Sequence, residues 1–243
     1  TYYEDFSNYP MDVNGDGYTD IVTGGWFDKK LQWRENPKGK PVEWVTHDID
    51  NVGNVERGCF WDIDGDGHVE AVPALPNSGV YIFILERDAE GKGIGTFKRV
   101  DIYAEKQGNG LGFGDINGDG RGDLVLHNGW LEAPGKPFEE VWAWHPDFEL
   151  GDASVPLYVY DMNSDGKNDL IVGQGHDYGL AWHEQKMDGG KRIWVKHDIE
   201  TERSQFHDMN MADLDNDGTL ELITGKRYHA HNGNDPGGAE PLG

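Results

Sequence analysis

The chain has 243 residues, a formal net charge of −24 and 36% hydrophobic residues. A charge of that sign and size excludes nucleic acid and anionic membrane as partners, and apolar residues spread along the whole length exclude global disorder. The single Cys59 excludes an intramolecular disulfide framework and a multi-cysteine zinc site, and no apolar run reaches the roughly 18 residues that would insert in a membrane.

One acidic loop recurs along the chain at intervals of about fifty residues. The first repeat, about residues 6–52, carries it as "DVNGDGYTD". Asp12, Asn14, Asp16 and Asp20 are oxygen ligands at positions 1, 3, 5 and 9, a glycine at position 6 makes the turn, and Tyr18 offers its backbone carbonyl. That pattern suits a hard cation with several oxygen ligands. An EF-hand would need a glutamate at position 12 and flanking helices, and neither is in the sequence. The flanking runs "FSNYPMD", "DIVTGGWF", "LQWREN" and "WVTHDID" read as four short strands. Trp26 closes the second.

The second repeat, 53–106, begins with "NVERG" (Glu56, Arg57) and places Asp62, Asp64, Asp66, His68 and Glu70 in its loop. The third, 107–153, begins with "QGNG" (Gln107, Asn109), has Asp115, Asn117, Asp119, Arg121 and Asp123, and continues into "HNGW" (His127, Trp130). The fourth, 154–203, has Asp161, Asn163, Asp165, Lys167 and Asp169, followed by "GQGHDYG" (His176, Asp177, Tyr178). The fifth, 204–243, opens on "SQFHD" (Gln205, His207, Asp208) and has Asp213, Asp215, Asp217, Thr219 and Glu221. It then runs into "GKRYHAHNG" and stops after two strands. Positions 7 of these loops (His68, Arg121, Lys167, Thr219) contribute only carbonyls. Carboxylates crowded this closely repel one another without a cation, so up to five structural Ca²⁺ ions are expected.

Four antiparallel strands per fifty residues predict an all-β chain, a β-propeller of four-stranded blades forming one domain over 1–243. For the incomplete fifth repeat, either the N-terminus supplies the missing strands or the chain is a fragment of a longer ring. The second reading is preferred, with further blades or an additional domain elsewhere in the natural chain. In such a blade the acidic loops share one face, and the stretches before strand one and after strand two share the other. His47 and His197 recur at equivalent points and read as structural; His68, His145 and His183 read as structural or surface. His176, His207, His229 and His231 have no counterparts, as a grafted site would not. An extended 229–231 segment would turn His229 and His231 to the same side, where with His176 or His207 they would hold Zn²⁺ or another divalent metal. Trp26 and Trp130 would stack on a sugar or plug the space between blades.

The D-x-[DN]-x-D-G-x-x-[DE] repeat resembles the FG-GAP/VCBS family of calcium-binding β-propellers. More narrowly, "NPKGKPVEW", "GLGFGDINGDGRGD", "GQGHDYGL" and "LITGKRYHAHNGNDPG" resemble the propeller of aldos-2-ulose dehydratase-like proteins. That resemblance implies a seven-bladed ring, a secreted or periplasmic location, and elimination of water from a keto-sugar such as 1,5-anhydrofructose. It departs at Asn109, where relatives often carry a histidine. For such an elimination His176 or His207 would be the base, Lys226 and Arg227 would hold the oxyanion, and Asp208 and Asp177 would orient the histidines. Tyr178 or Tyr228 would be the acid. Trp26, Glu56, Arg57, Asn109, Trp130, Asp177 and Gln205 would bind the small sugar or oligosaccharide. Two other readings stay open: a polysaccharide lyase on uronic-acid polymers, and a non-catalytic carbohydrate-binding or adhesion propeller.

Overall fold

The computed structural model describes residues 6–229 and 231–239. All its regular structure is strand, apart from one short 3₁₀ turn at His231–Gly233. No helix among the described residues is long and apolar enough to cross a membrane. The chain divides into two compact units, Thr1–Gln107 with Lys136–Val141, and Gly108–Gly135 with Trp142–Gly243.

The first unit holds two antiparallel sheets. Sheet one runs β1 (Ser7–Met11), β2 (Asp20–Gly24), β3 (Lys30–Glu35), β4 (Val45–Asn51). Sheet two runs β5 (Arg57–Trp61), β6 (Glu70–Ala74), β7 (Val80–Arg87), β8 (Gly93–Tyr103). Alternation along β2 turns Val22 inward with Val13, Leu31 and Trp33 against Ala71, Phe83 and Leu85 of sheet two. Tyr9 stacks on Phe60 across the same seam, 4.1 Å between centroids.

The second unit holds one continuous eight-stranded sheet where the sequence predicts two separate four-stranded ones; its first half, sheet three, is β9 (Leu111–Gly114), β10 (Asp123–Leu126), β11 (Gly129–Glu132) and β12 (Ala143–His145). Sheet four is β13 (Leu157–Tyr160), β14 (Asp169–Gly173), β15 (Tyr178–Asp188) and β16 (Lys191–Ser204). Their first strands join in parallel, Leu157 opposite Gly112 and Tyr158 opposite Phe113. A Cβ on Gly112 would lie 2.7 Å from the Leu157 carbonyl oxygen, so only glycine admits this approach. Sheet five is the pair β17 (Met209–Ala212) and β18 (Glu221–Thr224). Leu170 faces the core shared with Val125 and Trp130, while its neighbour Ile171 faces Phe206 and Met209.

One side-chain constellation ties the third strand to the fourth in three sheets. Trp33 stacks on His47, Trp130 on His145 and Trp182 on His197, with centroids 4.2, 4.2 and 4.4 Å apart. Each imidazole also meets the glutamate two residues beyond its tryptophan: Glu35 at 3.0 Å, Glu132 at 2.8 Å and Glu184 at 2.8 Å. Trp130 is 1% exposed and donates its indole N–H to Asp147 at 2.9 Å. The sugar-stacking role is therefore corrected: a ring sealed on one face by His145 and buried in the core offers nothing to a ligand.

His183 sits opposite Leu170, and burial, reinforced by the charge of Lys196, pulls its imidazole down to about 4. Its folded pKa lies below its unfolded one, so this neutral form contributes stability above about pH 6.5, which is lost as pH falls toward 4. His183→Gln is expected to flatten the acid limb of the stability profile by about 1–2 kcal/mol after solvent screening, measured by urea unfolding at pH 7 and pH 4.5. An unchanged pH slope would refute the assignment.

Candidate functional site

The five acidic loops share one backbone. The glycine at position 6 has φ between 83° and 92° in every copy (Gly17, Gly67, Gly120, Gly166, Gly218), which a side chain would strain. Position 4 is left-handed too, at Gly15, Gly65, Gly118, Ser164 and Asn216. The residue-9 carboxylates clasp the loop. Asp20, Glu70, Asp123, Asp169 and Glu221 accept the amides of Val13, Ile63, Ile116, Met162 and Leu214 at 2.7–3.0 Å. Asp20, Asp123 and Asp169 also take a second amide, from Asn36, Ala133 and Gln185, tying the loop to the segment after the third strand or to its end. Burial, with crowding by neighbouring acids, pushes Glu70 up to about 7 and Asp123 to about 6.

Charge separates the loops into two classes. In loops one, three and four position 3 is asparagine, and a basic side chain lies on the position-5 carboxylate. Lys38 reaches Asp16 at 2.8 Å, Arg121 pairs with Asp119, and Lys167 reaches Asp165 at 3.1 Å. In loops two and five position 3 is aspartate. There Asp62, Asp64 and Asp66, and Asp213, Asp215 and Glu221, each bring one oxygen within 4.8 Å of the others.

The second gathering of ligand atoms lies in the second unit, on the connections leaving β14, β16 and β18. Gln205 knits them together. It is fully buried at φ 64°, and its carbonyl accepts the amides of His207 (2.9 Å) and Arg227 (3.1 Å) while its own amide donates to the Asp177 carbonyl (3.0 Å). The His207 contact closes a γ-turn centred on Phe206. Its side chain accepts from the Arg227 guanidinium at 2.8 Å and donates to the Pro236 carbonyl at 3.1 Å. Gln205, expected to touch substrate, is instead the clamp that positions residues 227 and 235–236.

That clamp delivers Asp235, which the sequence reading missed. Its Oδ2 lies 3.0 Å from His176 Nδ1 and 2.7 Å from His231 Nδ1, with the Arg227 guanidinium 3.8 Å away. The His176 and His231 rings stack at 5.0 Å, and His207 meets His176 edge-on at 5.2 Å. Burial raises the Asp235 pKa, but the His176 hydrogen bond and the imidazole charges outweigh it and hold the carboxyl below the ordinary value. One donor atom each from His176, His231 and Asp235 falls within 4.8 Å of the others.

Several expected roles are redistributed. His231 opens the 3₁₀ turn at φ 46° and is not part of an extended segment, and His229 is exposed. The Asp177 carboxylate accepts the amide of Tyr178 (2.7 Å), and the Asp208 carbonyl accepts the Thr224 hydroxyl; Asp235 supplies the carboxylate that orients the histidines. Lys226 turns to the Arg227 carbonyl at 3.2 Å. Tyr178 is 38% and Tyr228 72% exposed. Asn109 is half-buried between two glycines, and His127 accepts the Gly108 amide at 3.3 Å. Trp26, Glu56 and Arg57 belong to the first unit, where the Trp26 carbonyl accepts from Asn54 and the Glu56 amide donates to Ala74.

A family model described as FG-GAP-like repeat matches residues 62–126 and 161–224. No curated protein matches the chain. Among solved structures it is similar to the V. cholerae biofilm matrix protein Bap1, at 21% identity and a TM-score of 0.43. The alignment covers 89% of this chain and 34% of that one, so the chain spans well under half of its length.

Proposed function

Because the chain belongs to the FG-GAP-like repeat family, we propose that its sheets are blades of a secreted or periplasmic, calcium-stabilised β-propeller that eliminates water from a keto-sugar at the histidine cluster. The observation that carries this reading is Asp235 held between His176 and His231, with His207 against them. Two imidazoles and one carboxylate with converging donor atoms match the three-ligand set of a catalytic zinc site, which keeps a position open. A divalent metal held there would supply Lewis-acid stabilisation of the oxyanion. His207, adjacent to this set, takes the proton next to the sugar carbonyl. The freed electron pair forms the carbon–carbon double bond as the neighbouring C–O bond breaks, and Tyr178 protonates the departing hydroxide. Further blades in the natural chain complete the ring.

A binding propeller without turnover is the second reading. It is favoured by Lys226 and Arg227, which spend polar contacts on the protein itself. Ultraviolet absorbance during incubation of the zinc-loaded protein with 1,5-anhydrofructose separates the two. We expect an unsaturated product, lost by about a hundredfold or more in folded His176→Ala and His207→Ala. Metal analysis is expected to find near-stoichiometric zinc that His231→Ala removes. Turnover unchanged in both alanine variants would sink the catalytic assignment, and no turnover at all would leave the binding reading.

A further inference from the structure

Asparagine at position 3 sets loops one, three and four apart from loops two and five, and the internal repeat shows what accompanies it. Asn14, Asn117 and Asn163 each precede a sheet that carries the tryptophan–histidine stack and its glutamate, at Glu35, Glu132 and Glu184. Loop two has Asp64 instead. Its sheet pairs Ile82 with Val100 at the register where the others pair tryptophan with histidine, and Ile84 stands where they have glutamate. The four residue types are thus kept or replaced as a set. Stacking between the third and fourth strands does not by itself require an asparagine in the loop.

In sheets three and four the set is one hydrogen-bonded chain that ends in the acidic loop. Asn163 Nδ2 donates to Glu184 Oε1 at 3.2 Å, and Glu184 Oε2 meets His197 Nε2 at 2.8 Å. Asn117 Nδ2 donates to Glu132 Oε1 at 3.2 Å and to Asp119 at 3.1 Å, and Glu132 Oε2 meets His145 Nε2 at 2.8 Å. An ionised carboxylate only accepts, so the glutamate holds the NH₂ end of the amide and leaves its oxygen for the loop. There Oδ1 takes the position-5 amide, at 2.9 Å in loop three and 3.0 Å in loop four. An aspartate at position 3 needs no such aiming, because its two oxygens are equivalent.

We propose, resting on the calcium-stabilised reading above, that Glu132 and Glu184 are positioning residues for the loop cation. Each keeps the asparagine oxygen, and not its NH₂, facing into a loop whose donors suit a hard ion. The donor set fits such an ion: the loops present carboxylate and amide oxygens, and in loop two Asp62 Oδ1 is buried without a hydrogen-bond partner among the described residues. An amide turned the other way would remove one ligand and set a donor against the charge. His145 and His197 act one step further back, holding the second oxygen of each glutamate.

A chelator-buffered calcium titration of the full chain tests it, followed by the nitrogen-15 amide resonances of the position-6 glycines. The amides of Gly67, Gly120 and Gly166 donate to the position-1 aspartates at 2.8–2.9 Å, so each reads its own loop. Glu132→Ala is expected to raise the half-saturating calcium at Gly120 by about tenfold or more, with Gly67 unchanged as the check on folding. Glu132→Gln keeps an acceptor for the Asn117 NH₂ and is expected to recover most of the loss. In an Asn117→Asp background, where either oxygen serves, Glu132→Ala is expected to cost nothing, an outcome that a merely structural glutamate would not give. Glu184→Ala is expected to repeat the result at Gly166, which keeps the test open should either variant fail to fold. Unchanged titrations in the alanine variants, or an equal loss in the Asn117→Asp background, would overturn the proposal and leave calcium binding standing. No response to calcium at any of the three glycines would overturn both.

Discussion

Chelating divalent cations is expected to lower the melting temperature of this protein by roughly 10 °C or more, with loops two and five accounting for most of the loss. These are the loops whose carboxylates converge without the basic side chain that sits on Asp16, Asp119 or Asp165 in the others. A tethered ammonium or guanidinium already offsets part of the repulsion in loops one, three and four, and a cation entering there must displace it. Among the described residues no basic side chain pairs with Asp62, Asp64 or Asp66 in loop two. A site filled at a hundred times its dissociation constant contributes about 2.7 kcal/mol, so two such sites supply about 5 kcal/mol. Asp64→Asn converts loop two to the asparagine type of loops one, three and four, and Asp215→Asn does the same for loop five. The pair is expected to remove most of the calcium-dependent shift in scanning calorimetry. Lys167→Gln should act in the opposite sense, raising calcium affinity in loop four by freeing Asp165. Equal shifts from all five loops would refute the division into classes.

The turn geometry of the loops was legible because it is local: the carboxylates and the position-6 turn fall within nine residues, and the motif repeats. The strands beside them were legible for the same reason, since a run such as "DLIVG" has few alternatives once the loop fixes its start. The histidine cluster was legible only in part. His176 and His207 stand out by failing to repeat, but Asp235 lies in "NGNDPGG", a stretch whose composition reads as a turn. Its role arises from Gln205, which is hydrogen-bonded to the Pro236 carbonyl across 31 positions. No spacing rule reaches that far. The left-handed backbone at position 4 was hidden for another reason: glycine, serine and asparagine all adopt it, so no single residue type marks it. His145 shows the same limit in the other direction, since its tryptophan and glutamate partners lie on a different strand.

Replacing Trp130 by alanine is expected to destabilise the second unit by about 3–5 kcal/mol, among the largest effects of any single substitution here. Trp130 is the largest side chain in the core formed with Ile116, Val125, Leu157 and Leu170, and it fills that core to 1% exposure. Its loss would also remove the stacking surface of His145, the donor to Asp147 and the ring beneath the Arg192 guanidinium, 4.9 Å away. Trp130→Phe keeps an aromatic face for His145 but strands the Asp147 contact, and is expected to cost about 1–2 kcal/mol. The two substitutions separate packing from hydrogen bonding, and urea midpoints read both. A sugar platform would behave in the opposite way: alanine would leave the midpoint nearly unchanged and weaken saccharide binding by the folded protein. The constellation recurs at Trp33, so Trp33→Ala should impose a comparable loss on the first unit, where no histidine cluster has been placed. Matching losses at the two positions would assign the tryptophan to the repeat itself, and a loss confined to Trp130 would make it a feature of the second unit's core alone.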